Sequence, residues 1–186
     1  MLLLHLKTWE SVPNAGLQIM IYVSLGANVP SKVGPPATTL RAAIDLMPRH
    51  GLVVEAVSRF YHSTAWPDPA DPAFVNAVVR VKTAKGPLET LQTLFAIERH
   101  FGRVRKTRWE PRCLDLDLVD YGGLISDVDE LMLPHPRLHE RAFVLLPLRD
   151  VCPGWRHPDT GAPIADLLEI TGEEGVWPMM DSLETG

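Results

Sequence analysis

Cysteine is scarce in this chain of 186 residues, with Cys113 and Cys152 the only two. A disulfide framework is excluded, the two thiols lack the spacing of a metal pair, and a reducing compartment is expected. Long apolar runs are also missing. The apolar start Met1-Leu2-Leu3-Leu4 gives way to His5 and Lys7, far short of a bilayer-crossing segment and without a signal-peptide layout. Nor is there a basic excess: 18 Lys and Arg stand against 23 Asp and Glu, a formal net charge of −5. A general electrostatic grip on nucleic acid or anionic lipid is thereby excluded, and any anion site must be local. Glycine-rich phosphate loops are absent too, since neither a Walker A pattern nor GxGxxG occurs. A cytoplasmic monomer with no nucleic-acid partner and no membrane contact is the expectation.

What is present is a globular composition, 46% hydrophobic and 22% charged, long enough for one core and too short for two. Residues 1–18 show no sustained periodicity and are expected to be a poorly ordered extension; Met20 is a candidate start of the folded chain. The domain is expected over 19–170, followed by a tail over 171–186. Gln18–Leu25 has strand composition, ended by Gly26-Ala27-Asn28. Thr38 or Thr39 is a candidate cap for a helix carrying Leu40, Ala43, Ile44 and Met47, with Gly51 as its stop. Val53 to Tyr61 reads as a second strand and Phe74–Val81 as a third, joined by a loop that Pro67, Pro69 and Pro72 stiffen. Gly86-Pro87 opens a second helix with an apolar stripe of Leu88, Leu91, Leu94, Phe95 and Phe101. A strand over Leu114–Tyr121 follows. A short strand at Leu131-Met132-Leu133-Pro134, a helix over His139–Leu148 with Phe143, Leu145 and Leu146 inward, and a weak helix at Ala165–Ile170 complete the pattern. Strand, helix, strand, strand, helix, strand predicts an α+β, ferredoxin-like split βαβ sandwich, with a mostly antiparallel sheet and helices packed on it.

The sharpest local feature is segment 103–112, where Arg103, Arg105, Lys106, Arg108 and Arg112 face one anion, Glu110. Such a run is either a solvated basic loop or a phosphate clamp, because arginine forks match phosphate oxygens in a bidentate way. Immediately after it, Asp115 and Asp117 lie two apart in a strand and project from one face, while Leu114, Leu116 and Leu118 project from the other. Two adjacent carboxylates repel unless a cation joins them, and a hard divalent ion such as Mg²⁺, completed by phosphate oxygens and water, meets that need. Mg²⁺ with mobile arginines is the equipment of phosphoryl-type transfer. His135 and His139 have a spacing that also occurs in zinc sites, but the prolines around them bar a shared helix face and no third ligand is evident. Asn76, amid apolar neighbours, is either a satisfied buried amide or a specificity group for a flat heterocycle.

The run Arg108-Trp109-Glu110-Pro111-Arg112-Cys113-Leu114-Asp115-Leu116-Asp117-Leu118 resembles the signature of the 6-hydroxymethyl-7,8-dihydropterin pyrophosphokinases of folate synthesis. In the family's order lie Leu25-Gly26-Ala27-Asn28, Phe74-Val75-Asn76-Ala77, Glu98 with Gly102-Arg103-Val104-Arg105-Lys106, and Leu133-Pro134-His135 through Leu145. The resemblance covers about Ile19 to Trp155. It implies transfer of pyrophosphate from ATP to the pterin hydroxymethyl oxygen. Asp115 and Asp117 would hold two Mg²⁺ ions, Phe74 and Phe143 would sandwich the pterin, Asn76 would pair with its edge, and Thr64 would add a contact. Arg103 and Arg112 would bind and stabilise the phosphates. Lys106, Arg108 and Glu98 would stand on the nucleotide side, His135 and Arg141 would approach the ATP or pterin site, and Trp109 would bind on the nucleotide side and help close a lid. Two positions depart from the pattern: Glu110 replaces a small residue, commonly Gly, and Glu130 stands where some members carry Arg.

Two other classes remain open on the residues. A polymerase-β-type nucleotidyltransferase also uses a glycine turn and an Asp-x-Asp pair, but close together in sequence, whereas Gly26 and Asp115 here are far apart. An RNA-binding module of the same fold would need exposed aromatics beside basic residues, on a face that Asp115 and Asp117 make acidic.

Overall fold

A computed structural model describes residues 19–65, 68–103 and 112–180. Its centre is a six-stranded sheet whose path runs β5 (Asp115–Tyr121), β1 (Ile21–Ala27), β4 (Phe74–Lys82), β3 (Tyr61–Ser63), β8 (Val176–Pro178). The remaining member, β2 (Val53–Val57), pairs with the far end of β4, and every pairing is antiparallel. Strand order β5, β1, β4, then β2 and β3, is the ferredoxin-like arrangement. A separate hairpin joins β6 (Ser126–Val128) to β7 (Leu131–Leu133).

Alternation along the strands sorts two cores. Ile21, Val23 and Leu25 of β1, Val75, Ala77, Val79 and Val81 of β4, and Leu114, Leu116 and Leu118 around β5 form one buried cluster. It lies against α1 (Pro36–Leu46) and α2 (Pro87–His100), and each of the three leucines contributes about 2–3 kcal/mol by leaving water. The opposite face, with Tyr22, Tyr61, Val78 and Val119, packs on α3 (Ala142–Val151) and α4 (Ile164–Thr171). Trp155 secures this layer by donating its Nε1–H to the buried Asp120 carboxylate at 2.8 Å.

Several elements depart from the sequence expectations. Helix α1 starts at Pro36, ahead of both threonines, because proline at the first helical position has its φ preset and no N–H to satisfy. Thr39 lies inside the helix and bonds the Ser31 hydroxyl at 2.8 Å. The single strand expected over 53–61 is two strands, broken where Ser58 Oγ accepts the Val78 N–H at 2.9 Å. Leu88 is exposed and Ile97 takes an inward place, since at 100° per residue Leu88 lies about a third of a turn from Leu94. The helix expected from His139 begins at Ala142, because Arg141 is extended (φ −124°, ψ 93°) and separates it from a 3₁₀ turn at Leu138–Glu140. Residues 176–178, expected in a tail, form the sheet's edge strand. Among the described residues no helix is long and apolar enough to cross a membrane.

Candidate active site

Register brings the chemistry-bearing residues together on the α3 side of the sheet. Gly26 of β1 pairs with Asp115 on one side and Asn76 on the other, and Ser24 pairs with Asp117 and Val78. Paired residues share a face, so both carboxylates, Ser24, Gly26, Asn76 and Phe74 point the same way. They line a cavity of about 300 Å³ whose far wall is Arg137, Glu140, Arg141, Phe143 and Val144. Asp115 and Asn76 stand two strand spacings apart, roughly 10 Å. One end is therefore acidic and cationic, the other aromatic and amide-lined.

Gly26 sits between the two ends. A Cβ there would come 3.4 Å from Asn76 Oδ1 and would intrude where the cavity passes from one end to the other.

At the charged end, the Asp115 carboxylate receives Arg103 Nη1 on one oxygen and Arg112 Nη1 on the other. Arg103 is in turn held by Glu98, a carboxylate only 2% exposed that also accepts the Leu116 backbone N–H at 2.8 Å. Although burial opposes the charge on Arg103, Asp115 and Glu98 outweigh it and keep the guanidinium charged. Among the described residues no arginine clamps Asp117 in this way. Burial first, and then the charge of Asp115, push its carboxyl up to about 7. His135 stands beside it, Nε2 to Oδ2 4.0 Å, and is held neutral because burial and then Arg141 push its ring down to about 4. Its Nδ1 accepts the Arg137 N–H at 3.3 Å, which leaves the Nε2–H directed toward Asp117. Arg141 lies with its Cζ 5.7 Å from the centre of the Phe143 ring.

At the aromatic end, Phe74 and Phe143 line the cavity from β4 and from the first turn of α3. Asn76 is 5% exposed and donates from Nδ2 to Ser63 Oγ at 2.9 Å, which fixes the plane of its amide. Thr64 lines the same end.

The donor set at the charged end fits a hard divalent cation. Two carboxylates lie side by side, and burial with the neighbouring charge of Asp115 raises the proton affinity of Asp117. Among the described residues no three His, Cys, Asp or Glu side chains form a metal-holding group, so further ligands would come from substrate oxygens and water. The two histidines do not converge on a zinc site: His139 packs edge-on against the His157 ring, 6.0 Å between centroids, while His135 faces Asp117. Zinc needs ligands meeting at one point, and the prolines around His135 leave it outside the 3₁₀ turn, Leu138–Glu140, that carries His139.

The structure thus gathers Arg112, Asp115, Asp117, Arg141, Thr64, Phe74, Asn76 and Phe143 around one cavity. Glu98 does not line it and stands behind Arg103. Lys106, Arg108 and Trp109, with Glu110, lie outside the described residues. Glu130 is exposed at the tip of the β6–β7 hairpin and is not part of the cavity wall. Sequence reasoning missed Ser63, Arg137, Glu140 and the tether Asn28. Asn28 is buried, and its Oδ1 accepts the Arg112 N–H at 2.8 Å while its Nδ2 reaches the Pro72 carbonyl at 3.4 Å. It therefore links the end of the basic segment to the proline-rich loop. Its signals were its place in the segment Leu25-Gly26-Ala27-Asn28 and its position just past a strand, where such residues bond nearby backbone.

A protein-family model described as 7,8-dihydro-6-hydroxymethylpterin-pyrophosphokinase matches residues 22–153. The chain is 41% identical over 165 residues to a 2-amino-4-hydroxy-6-hydroxymethyldihydropteridine pyrophosphokinase of Synechocystis, covering 88% of this chain and 82% of that one. It is 40% identical over 159 residues to the Pseudomonas aeruginosa protein of the same name, covering 84% and 94%. Among solved structures, a Plasmodium falciparum HPPK-DHPS crystallised with pterin and p-hydroxybenzoate superposes with a TM-score of 0.67 at 13% identity. That match covers 92% of this chain and about half of the larger one, 49%, and speaks for the fold.

Proposed function

Because the chain belongs to the 7,8-dihydro-6-hydroxymethylpterin-pyrophosphokinase family, we propose that it transfers pyrophosphate from ATP to the hydroxymethyl group of 6-hydroxymethyl-7,8-dihydropterin in a Mg²⁺-dependent reaction. The pterin oxygen attacks the β-phosphorus, the bond from that phosphorus to the α-phosphate oxygen breaks, the hydroxyl proton is lost, and AMP leaves with the bridging oxygen. The observation that carries this reading is the two-ended cavity: an Asp pair among arginines lies roughly 10 Å from an aromatic, amide-lined end, a span suited to a flat ring joined to a phosphate chain.

Each residue has a role that its geometry supports. Phe74 and Phe143 clasp the ring between aromatic faces, and Asn76, its amide plane fixed by Ser63, matches the hydrogen-bonding edge of the pterin. Asp115 and Asp117 would hold the Mg²⁺ ions, two being the expected number, which when bound neutralise and orient the triphosphate. Arg103 and Arg112 both bond Asp115, close to the place where phosphate oxygens would lie. Moving from carboxylate to phosphate keeps each arginine paired throughout, and stabilises charge that builds on the phosphates in the transition state. Neutral His135 and cationic Arg141 border the same region. Lys106, Arg108 and Trp109 belong to the segment between Arg103 and Arg112 and would complete the nucleotide side.

The test is AMP formation from ATP and Mg²⁺ with and without the pterin, in wild type and in Asp115→Ala and Asp117→Ala. Pterin-dependent AMP that both substitutions abolish is expected. Near-normal turnover in folded Asp117→Ala would overturn the metal assignment, and absence of pterin-dependent AMP in wild type would overturn the activity.

A further inference from the structure

Strand β3 contributes Ser63, which holds Asn76, and leads directly into Thr64, so its position shapes the aromatic end of the cavity. It is only three residues long, and β4 holds it along one edge. Three residues offer few ladder bonds, and such a strand depends on whatever pairs with its second edge. That partner is β8, with Val176 opposite Ser63, Trp177 opposite His62 and Pro178 opposite Tyr61.

The contact continues past the ladder. The Gly175 carbonyl accepts the Thr64 N–H at 2.9 Å and lies 3.4 Å from the Thr64 hydroxyl. Gly175 has φ +72°, and a Cβ there would lie 3.2 Å from Thr64 Oγ1, so both backbone conformation and space favour glycine. Trp177 stacks on His62 with 5.6 Å between ring centroids and 28° between planes. The other end of the segment is tied to the opposite wall: the Thr171 hydroxyl donates to the His139 carbonyl at 2.9 Å, just before Glu140 and Arg141.

We propose that Thr171–Pro178 is a strap joining the two walls of the cavity, and that Gly175 and Trp177 are positioning residues that set the affinity for the pterin through Ser63 and Thr64. The inference rests on the pyrophosphokinase reading, because it takes this end of the cavity as the pterin subsite. It also has a directional consequence. Strands β5 and β8 are opposite ends of the sheet path with β1, β4 and β3 between them, so Asp115 lies roughly 20 Å from the end of the strap that carries Trp177. Loosening the strap at this end, at Gly175 or Trp177, therefore changes pterin binding and leaves the nucleotide end as it was.

The experiment measures KM for pterin and for ATP, kcat and thermal unfolding in Gly175→Ala, Trp177→Ala and Trp177→Phe, together with calorimetric pterin binding in the presence of a non-hydrolysable ATP analogue. The pterin KM and Kd should rise about tenfold in Gly175→Ala and Trp177→Ala, as for the loss of one well-placed hydrogen bond. KM for ATP and kcat should stay within about twofold, and Trp177→Phe, which keeps a stacking ring, should recover most of the affinity. Unchanged pterin affinity in folded Trp177→Ala, or equal shifts for both substrates, overturns the strap. Trp177 is 45% exposed, so that variant decides the matter even where Gly175→Ala does not fold. Wild type run alongside separates the two readings: no pterin-dependent AMP there removes the function itself, whereas active wild type with indifferent variants removes only the strap.

Discussion

Replacing Glu98 perturbs stability and activity through one buried carboxylate. Its side chain accepts the Leu116 N–H at 2.8 Å and the Arg103 guanidinium, with 2% exposure. In Glu98→Ala the Leu116 amide loses that acceptor, worth about 1–3 kcal/mol, and Arg103 loses one of its two carboxylates. These costs overlap, and the expected total is about 3–5 kcal/mol, the usual cost of removing one partner of a buried pair. For a domain of this size that lowers Tm by roughly 6–20 °C. Glu98→Gln keeps the shape and the oxygen that accepts from Leu116 but not the charge, so a smaller loss of about 1–3 kcal/mol follows. In both variants Arg103 leans more heavily on Asp115, and turnover falls further than binding does. Scanning calorimetry with AMP-release kinetics on the two variants measures each part separately. Wild-type Tm and turnover in Glu98→Gln would refute the argument, since the charge would then be holding nothing.

Three further outcomes follow from other parts of the molecule. Because Asp117 is pushed up to about 7, a divalent ion binding there displaces a proton below that pH and none well above it. Mg²⁺ affinity should therefore climb as pH rises toward 7 and level off beyond, with calorimetry in buffers of different ionisation enthalpy showing proton release at pH 6.5 that vanishes at pH 8.5. Gly26→Ala puts a methyl 3.4 Å from Asn76 Oδ1 inside the cavity and should raise the pterin KM several-fold with little change in Tm; an unchanged pterin KM would show that the passage has room to spare. Burial alone would raise the Asp150 carboxyl, but hydrogen bonds from Arg59 and Tyr61 outweigh it and hold it below the usual carboxylate range. The stability it contributes is complete above the ordinary value near pH 4 and is lost as pH falls through the depressed one. The Tm gap between wild type and Asp150→Asn should thus be constant from pH 8 to 5 and close only below about pH 4, and a gap closing near neutrality would contradict this.

Where local rules had no competitor, the sequence was legible. Asp115 and Asp117 alternate with Leu114, Leu116 and Leu118 in a strand of period two, so acid and apolar faces separate whatever the strand pairs with. Gly86-Pro87 starts α2 for equally local reasons. The element order alone implied the sheet topology. Local pattern failed where a distant partner decided the outcome. The two-strand break at Ser58 depends on the Val78 amide, twenty residues away. Strand β8 is three residues of ordinary composition that become strand only because β3 has an open edge. Gly26 and Asp115, far apart in sequence, are directly paired.

The candidate site divides along the same line. The sequence by itself determined that two carboxylates would share a face beside a basic segment, because strand alternation is a property of the backbone. It determined through its motifs which family the chain would join. Only the tertiary structure decided that Arg103 and Arg112 would both close on Asp115 while burial and Asp115 pushed the Asp117 carboxyl up, because that depends on which side chains antiparallel register and the turn behind Glu98 bring within a few ångströms. It also decided that Ser63 would fix Asn76 and that Gly175 would hold Thr64, contacts across 13 and 111 residues that no periodicity encodes. Their partners are chosen by long-range packing, in which each contact exists only after the rest of the sheet has formed.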